Sequence, residues 1–239
     1  RQQHQLQSMT AMWLLPIVAC EVAATSGGLL VQHLPMGAES LGIVIGSYAL
    51  WGMSVLPAFA VLSILMLRLA LHQLPSRELA MSSWLALGPI GTGALALLVL
   101  GAAGQPLMAH FDLVTFGVFL KYTGWVASFI LLGFGTWWFV IAILTTLSHI
   151  HQLVFNLGWW ALTFPLGVFT LAVLQLGAQT QIDTIHMIGL CLASLLFVLW
   201  CIVITKTLAG IYKGDLFFSP CLKSYLDRKA APVAVEQVH

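Results

Sequence analysis

Six long apolar stretches, set apart by short polar ones, run along this chain: Met12 to Val31, Leu41 to Leu71, Ser83 to Gly101, Gly124 to Thr146, Leu157 to Gly177 and Ile185 to Leu208. About 20 apolar residues are needed for a helix to cross a bilayer, so the pattern predicts six transmembrane helices. Short intervals predict that neighbours pack as antiparallel hairpins. The second stretch is long enough to tilt or to project from the bilayer. The piece from Phe111 to Tyr122 reads either as a surface helix or as an extension of the fourth span.

A second pattern lies on top of the first. Pro16 in Leu-Leu-Pro-Ile-Val, Pro89 in Leu-Gly-Pro-Ile-Gly and Pro165 in Thr-Phe-Pro-Leu-Gly recur about 75 residues apart, one in every second stretch. A proline within a helix removes a backbone hydrogen bond and collides with the preceding turn. In lipid such a break is tolerated only where protein or water covers it. The first, third and fifth spans therefore read as broken in their middles, as inner helices around a pore, with straighter helices outside. Small neighbours let water or another helix approach each break: Ala19, Ala23, Ala24, Gly27 and Gly28, then Gly88, Gly91 and Gly93, then Gly167. Pro57 in the second span shows that proline alone does not mark an inner helix. Ordinary kinking within a bundle is the competing reading.

Composition fixes the solvent. Only 7% of residues are charged and 60% are hydrophobic, whereas a soluble domain carries roughly a quarter charged residues. A net charge of +1, with no basic cluster interleaved with aromatics, argues against nucleic acid as a partner. The four cysteines are isolated and support neither disulfides nor a zinc site. With the N-terminal side called inside, Arg1, Arg68, Arg77, Lys206, Lys213, Lys223, Arg228 and Lys229 fall inside and Lys121 alone outside. That bias predicts that both ends are cytoplasmic. The domain reading is a cytoplasmic lead-in over 1–11, a transmembrane domain over 12–210 with inner helices 12–31, 83–101 and 157–177, and a cytoplasmic tail over 211–239. The chain starts at Arg1 with no signal-peptide pattern, which reads as a fragment of a longer protein.

Trp13, Trp84, Trp125, Trp159 and Trp160 lie near span ends and read as interfacial anchors. Glu21 lies inside the first span, where a carboxylate costs on the order of 2.5 to 3.5 kcal/mol and normally faces protein or water. It reads as a candidate protonation switch, or as a buried acid bonded to Thr25 or Ser26. Lys121 is a candidate for attracting anions at the outer mouth, or a lysine snorkelling from a helix end. The histidines sit near span ends, in loops or in tails, with no spacing for haem or another metal. No carboxylate pair, no Ser/His/Asp set and no nucleotide-binding Gly-rich loop appears, so neither an enzyme nor a cofactor is indicated.

Gly88-Pro89-Ile90-Gly91-Thr92-Gly93, Thr163-Phe164-Pro165-Leu166-Gly167, and Leu14-Leu15-Pro16 with Ala23-Ala24-Thr25-Ser26-Gly27-Gly28 resemble the tellurite-resistance/dicarboxylate transporter family. That family includes bacterial tellurite-resistance permeases, fungal malate permeases and sulfite pumps, and plant slow anion channels. The resemblance covers nearly all of 12–210. It implies ten helices in five hairpins around a central pore, of which the six here would be the last six. It also implies odd-numbered helices lining the pore, a homotrimer and no cofactor. A phenylalanine on the ninth family helix occludes the pore, and Phe164 is the matching position; Phe155 and Phe169 are its competitors. The family motifs require no glutamate at Glu21.

The function so implied is transport of small anions, C4-dicarboxylates such as malate or tellurite, through a kinked-helix pore gated by Phe164, in the plasma membrane (the inner membrane of a bacterium). Sulfite efflux is the alternative within the family. A membrane anchor subunit of an oxidoreductase, or a purely structural membrane protein, is the alternative from another class.

Overall fold

The computed structural model describes residues 9–71, 77–150 and 155–213. Arg1, Lys223, Arg228 and Lys229, and nearly all of the tail over 211–239, lie outside them. Six α-helices carry the fold: α1 (Leu15–Val31), α2 (Ala38–Leu71), α3 (Leu87–His110), α4 (Val114–Ser148), α5 (Thr163–Thr180) and α6 (Asp183–Lys213). The described residues are helical or in turns, and six helices are long and apolar enough to cross a membrane. The chain is an all-α, multi-pass membrane bundle. Of the two readings of Phe111 to Tyr122, the extension is the one formed, because α4 already starts at Val114.

The hairpins are tight. Asp112 (φ 58°) turns α3 into α4, and Gln181 (φ 58°) turns α5 into α6. Both are single left-handed residues, which reverse the chain at small cost because only one residue leaves the right-handed region. Within each hairpin the partners pack along their length. Across hairpins α3 packs on α1, α2 and α5. The outcome is an inner row, α1–α3–α5, with α2, α4 and α6 behind it. In its most apolar window α3 is 89% buried and α6 only 11%, so α3 is the axis of the bundle and α6 a lipid-facing wall.

The odd spans are indeed the broken ones, but not in their middles. Each begins with a 3₁₀ lead: Ala11–Leu14 before α1, Arg77–Ala86 before α3 and Leu157–Leu162 before α5. Pro16 is the second residue of α1, Pro89 the third of α3 and Pro165 the third of α5. There the missing N–H costs nothing, because the first four N–H groups of a helix have no partner within it. The α-helix cannot extend upstream, since the proline ring would meet the carbonyl four residues back. The chain continues as the tighter 3₁₀ form instead. Each lead precedes its helix and the three helices run the same way, so all three breaks share one side of the bundle. Pro57, by contrast, sits inside the continuous 34-residue α2.

Candidate functional site

The three leads converge. The lead before α3 packs against both of the others, and a cavity of about 390 Å³ opens where they meet. Met12 and Leu15 line it from the first broken span, Met81 and Leu85 from the third, and Leu157, Trp160, Phe164 and Pro165 from the fifth. Its wall is apolar apart from Ser82 and backbone. The junction lies where the three 3₁₀ leads give way to α-helix.

Phe164 is the second residue of α5 and 45% exposed, with its ring on that wall. It also lines a shallower groove of about 540 Å³ between α5 and α6, together with Trp160 and Phe197. The ring thus stands between two spaces. Its competitors are placed elsewhere. Phe169 is 3% exposed and stacks on Phe139 at 6.4 Å in the core. Phe155 lies against Trp159 at 5.5 Å, with the Lys206 ammonium 5.9 Å from its ring. Of the three prolines only Pro165 lines the cavity. Pro89 is buried in the bundle and Pro16 is exposed.

The glycines grouped as one set by sequence have separate jobs. A Cβ on Gly91 would lie 2.6 Å from the Phe169 nitrogen and 2.7 Å from its Cα, so Gly91 is where the α3 and α5 backbones cross. On Gly93 it would lie 3.6 Å from Trp51 Nε1 and 3.8 Å from Glu21 Oε1. Gly167 faces Leu196 at 3.7 Å, and nothing approaches Gly88 within 4 Å.

Glu21 is fully buried between α1, α2 and α3, away from the cavity. Thr25 and Ser26 do not bond its carboxyl as expected: their hydroxyls donate to the backbone carbonyls of Glu21 and Val22, each at 2.9 Å. A hydroxyl on a helix reaches the carbonyl one turn back more readily than a flexible carboxyl. The Ser54 hydroxyl is committed to the Ile17 carbonyl at 2.6 Å, and Trp51 Nε1 to the Gly93 carbonyl at 2.9 Å. Both carboxyl oxygens are left without a hydrogen bond from the described residues.

Lys121 lies in the second turn of α4, and its ammonium sits 5.6 Å from the centre of the Trp125 ring. That distance makes a cation–π contact within one helix. Two other residues differ from their sequence reading. Trp84 is not an interfacial anchor: it is 4% exposed and donates to the Thr146 hydroxyl at 2.9 Å. Arg68, counted as a flanking charge, is 7% exposed on α2.

The family model for SLAC1, the voltage-dependent anion channel, matches residues 1–208. A sulfite efflux pump (SSU1) of Trichophyton rubrum is 36% identical over 216 residues, covering 89% of this chain and 56% of that protein. An uncharacterized transporter of Methanocaldococcus jannaschii is 30% identical over 215 residues, covering 89% of this chain and 59% of that protein. The chain therefore spans little more than half the length of these relatives. No solved structure matches it.

Proposed function

From a chain that belongs to the SLAC1 voltage-dependent anion channel family, we propose a transporter that carries small anions across a membrane, along a passage that starts among the three 3₁₀ leads and is closed by Phe164. The observation that carries this reading is the single cavity touched by all three broken spans and by that ring. An apolar constriction with an aromatic plug stops ions by dewetting and binds none of them tightly, which conduction requires. The α-helix N-termini behind the leads add a partial positive potential without a fixed lysine.

Sulfite is the substrate we favour over malate, other C4-dicarboxylates or tellurite, because relatives 35–36% identical over 89% of this chain are described as sulfite efflux pumps. In proteoliposomes containing the intact protein, sulfite is expected to move several-fold faster than malate at equal ionic strength. Faster malate flux would reverse the assignment. A homotrimer in the plasma membrane, with both ends of this chain cytoplasmic, completes the reading. The outward faces of α2, α4 and α6 carry large exposed apolar side chains such as Leu56, Ile130 and Phe197, fit for lipid or for a neighbouring subunit.

Glu21 belongs to this reading as a switch. Ionised, it places a negative charge inside the bundle and opposes anion entry; neutral, it does not. Glu21→Gln keeps the shape and removes the charge. Wild-type flux is expected to fall as Glu21 ionises, while the variant shows no such fall across the same pH series. Identical pH profiles for the two proteins would remove Glu21 from the mechanism.

A further inference from the structure

Glu21 is fully buried, and neither of its carboxyl oxygens has a hydrogen-bond partner among the described residues. An ionised carboxylate can only accept hydrogen bonds, and a buried charge without donors is costly. Ionisation of Glu21 therefore requires a donor to come to it. Two donors stand on one face of α2, three residues apart: the Trp51 indole and the Ser54 hydroxyl. Both are already committed to backbone, Ser54 to the Ile17 carbonyl at 2.6 Å and Trp51 to the Gly93 carbonyl at 2.9 Å.

The two differ in what a change of partner does. Ile17 and Glu21 are both on α1, so Ser54 keeps α2 bonded to the same helix with either acceptor. Trp51 changes helix: its present acceptor is on α3, and Glu21 is on α1. A Cβ on Gly93 would lie 3.6 Å from Trp51 Nε1 and 3.8 Å from both Cδ and Oε1 of Glu21, which are ordinary contact distances. Gly93 thus leaves a methyl-sized space bordered by the indole nitrogen and by the carboxyl.

Among the described residues, no charged side chain of the neighbouring helices competes there. α1 packs chiefly on α2 and α3. On α2, Glu39 and Arg68 stand twelve and seventeen residues from Trp51, and on α3 His110 stands seventeen from Gly93. Those separations are roughly 18 to 26 Å along a helix at about 1.5 Å per residue. The first lead, which also touches α1, carries no titratable group. Tyr48, one turn before Trp51, and Cys20, beside Glu21, are the titratable groups nearest along the chain.

We propose that Trp51 is the positioning residue through which Glu21 acts. While Glu21 is neutral, the indole clips α2 to α3 at Gly93. When Glu21 ionises, the indole turns to the carboxylate and clips α2 to α1 instead. A hydrogen bond to an ionised acceptor is about twice as strong as a neutral one, so the carboxylate displaces the carbonyl. The Gly93 carbonyl lies inside α3 and keeps its helical bond. Gly93 is two residues beyond Gly91, where α3 crosses α5, the helix that carries Phe164. The clip is therefore released beside the crossing that holds the gate helix. That consequence rests on Glu21 being the switch proposed above; the exchange of partners does not.

The test is fluorine NMR of the intact protein in detergent across a pH series, with fluorotryptophan in place of its nine tryptophans. The resonance lost in Trp51→Phe belongs to Trp51. It is expected to move with pH by several line widths in wild type and to stay fixed in Glu21→Gln. Gly93→Ala is expected to hold it at its low-pH position throughout, because the methyl fills the space beside donor and carboxyl, while its ordinary contacts let the protein fold. If Trp51→Phe fails to fold, a resonance that moves in wild type and in neither of the other two variants takes its place as the expected result. A signal that is fixed in wild type, or that moves equally in Glu21→Gln or Gly93→Ala, overturns the exchange. Flux measured over the same series separates the two readings. Flux that falls with pH beside a fixed Trp51 signal removes the exchange and leaves the switch; a moving Trp51 signal beside pH-independent flux removes the switch and leaves the exchange.

Discussion

Phe164→Ala is expected to raise sulfite flux through the intact protein in liposomes by tenfold or more. The ring sits on the first turn of α5, next to the residue that fixes the 3₁₀-to-α switch, and lines the cavities on both of its sides. Trp160, which lines both spaces as well, stays in place and bounds the widened opening. A dewetted constriction is sensitive to width, because water enters steeply once an apolar neck widens past a few ångströms. Phe164→Leu should give an intermediate flux. Phe169→Ala is the control, since that ring is core. Its loss should cost about 3 to 5 kcal/mol of stability without opening anything. Unchanged flux in Phe164→Ala, from protein that is folded and inserted, would take the gate away from this residue.

The second large effect is structural. Gly91→Ala is expected to lower the unfolding temperature sharply and to cut the yield of folded protein, while Gly88→Ala is tolerated. The two glycines flank one proline in one motif, so composition does not distinguish them. A methyl on Gly91 would press on the Phe169 nitrogen and Cα, which are backbone atoms within a helix and cannot swing aside. The α3–α5 crossing would have to open. Overpacking of this kind costs about 1 to 3 kcal/mol and sometimes more, and here it falls on the axis of the bundle. At Gly88 a methyl meets nothing within 4 Å, and alanine gains about 1 kcal/mol over glycine as a helix former. Thermal unfolding of both variants in detergent checks the pair. Equal stability of the two would mean that α3 and α5 do not cross at Gly91.

Some features were legible along the chain because they are local. Insertion into lipid depends on the summed transfer of about twenty consecutive residues, so the six spans could be read without knowing what each touches. The alternation of broken and intact spans was legible for the same reason: proline acts on its own backbone and on the turn before it. The place of each break within its span was not: hydropathy runs on through Pro16, Pro89 and Pro165, whereas each stands in the first turn of its α-helix with 3₁₀ chain before it.

Side-chain roles were the least readable. Trp84 looked like an interfacial anchor until α4 supplied Thr146 as its partner, 62 residues away in sequence. Thr25 and Ser26 looked like partners for the Glu21 carboxyl, but each already had a carbonyl one turn back. Arg68 looked like a flanking charge because Leu71 ends its span three residues later; only the cover from α4 and the first lead encloses it. Trp51 gave no signal at all, since an indole that borders a carboxyl on another helix can be recognised only when its surroundings are known.

The amino-acid order alone therefore determined that this protein lives in lipid, how many times it crosses, and which crossings are interrupted, because hydropathy and proline geometry are properties of neighbouring residues. The three-dimensional packing decided that the interruptions gather at one end around one cavity, that Gly91 and not Gly88 is the close crossing, and that Glu21 and Trp51 border a common space. Those are relations between segments far apart in the chain, and they are set by which helix faces bury together.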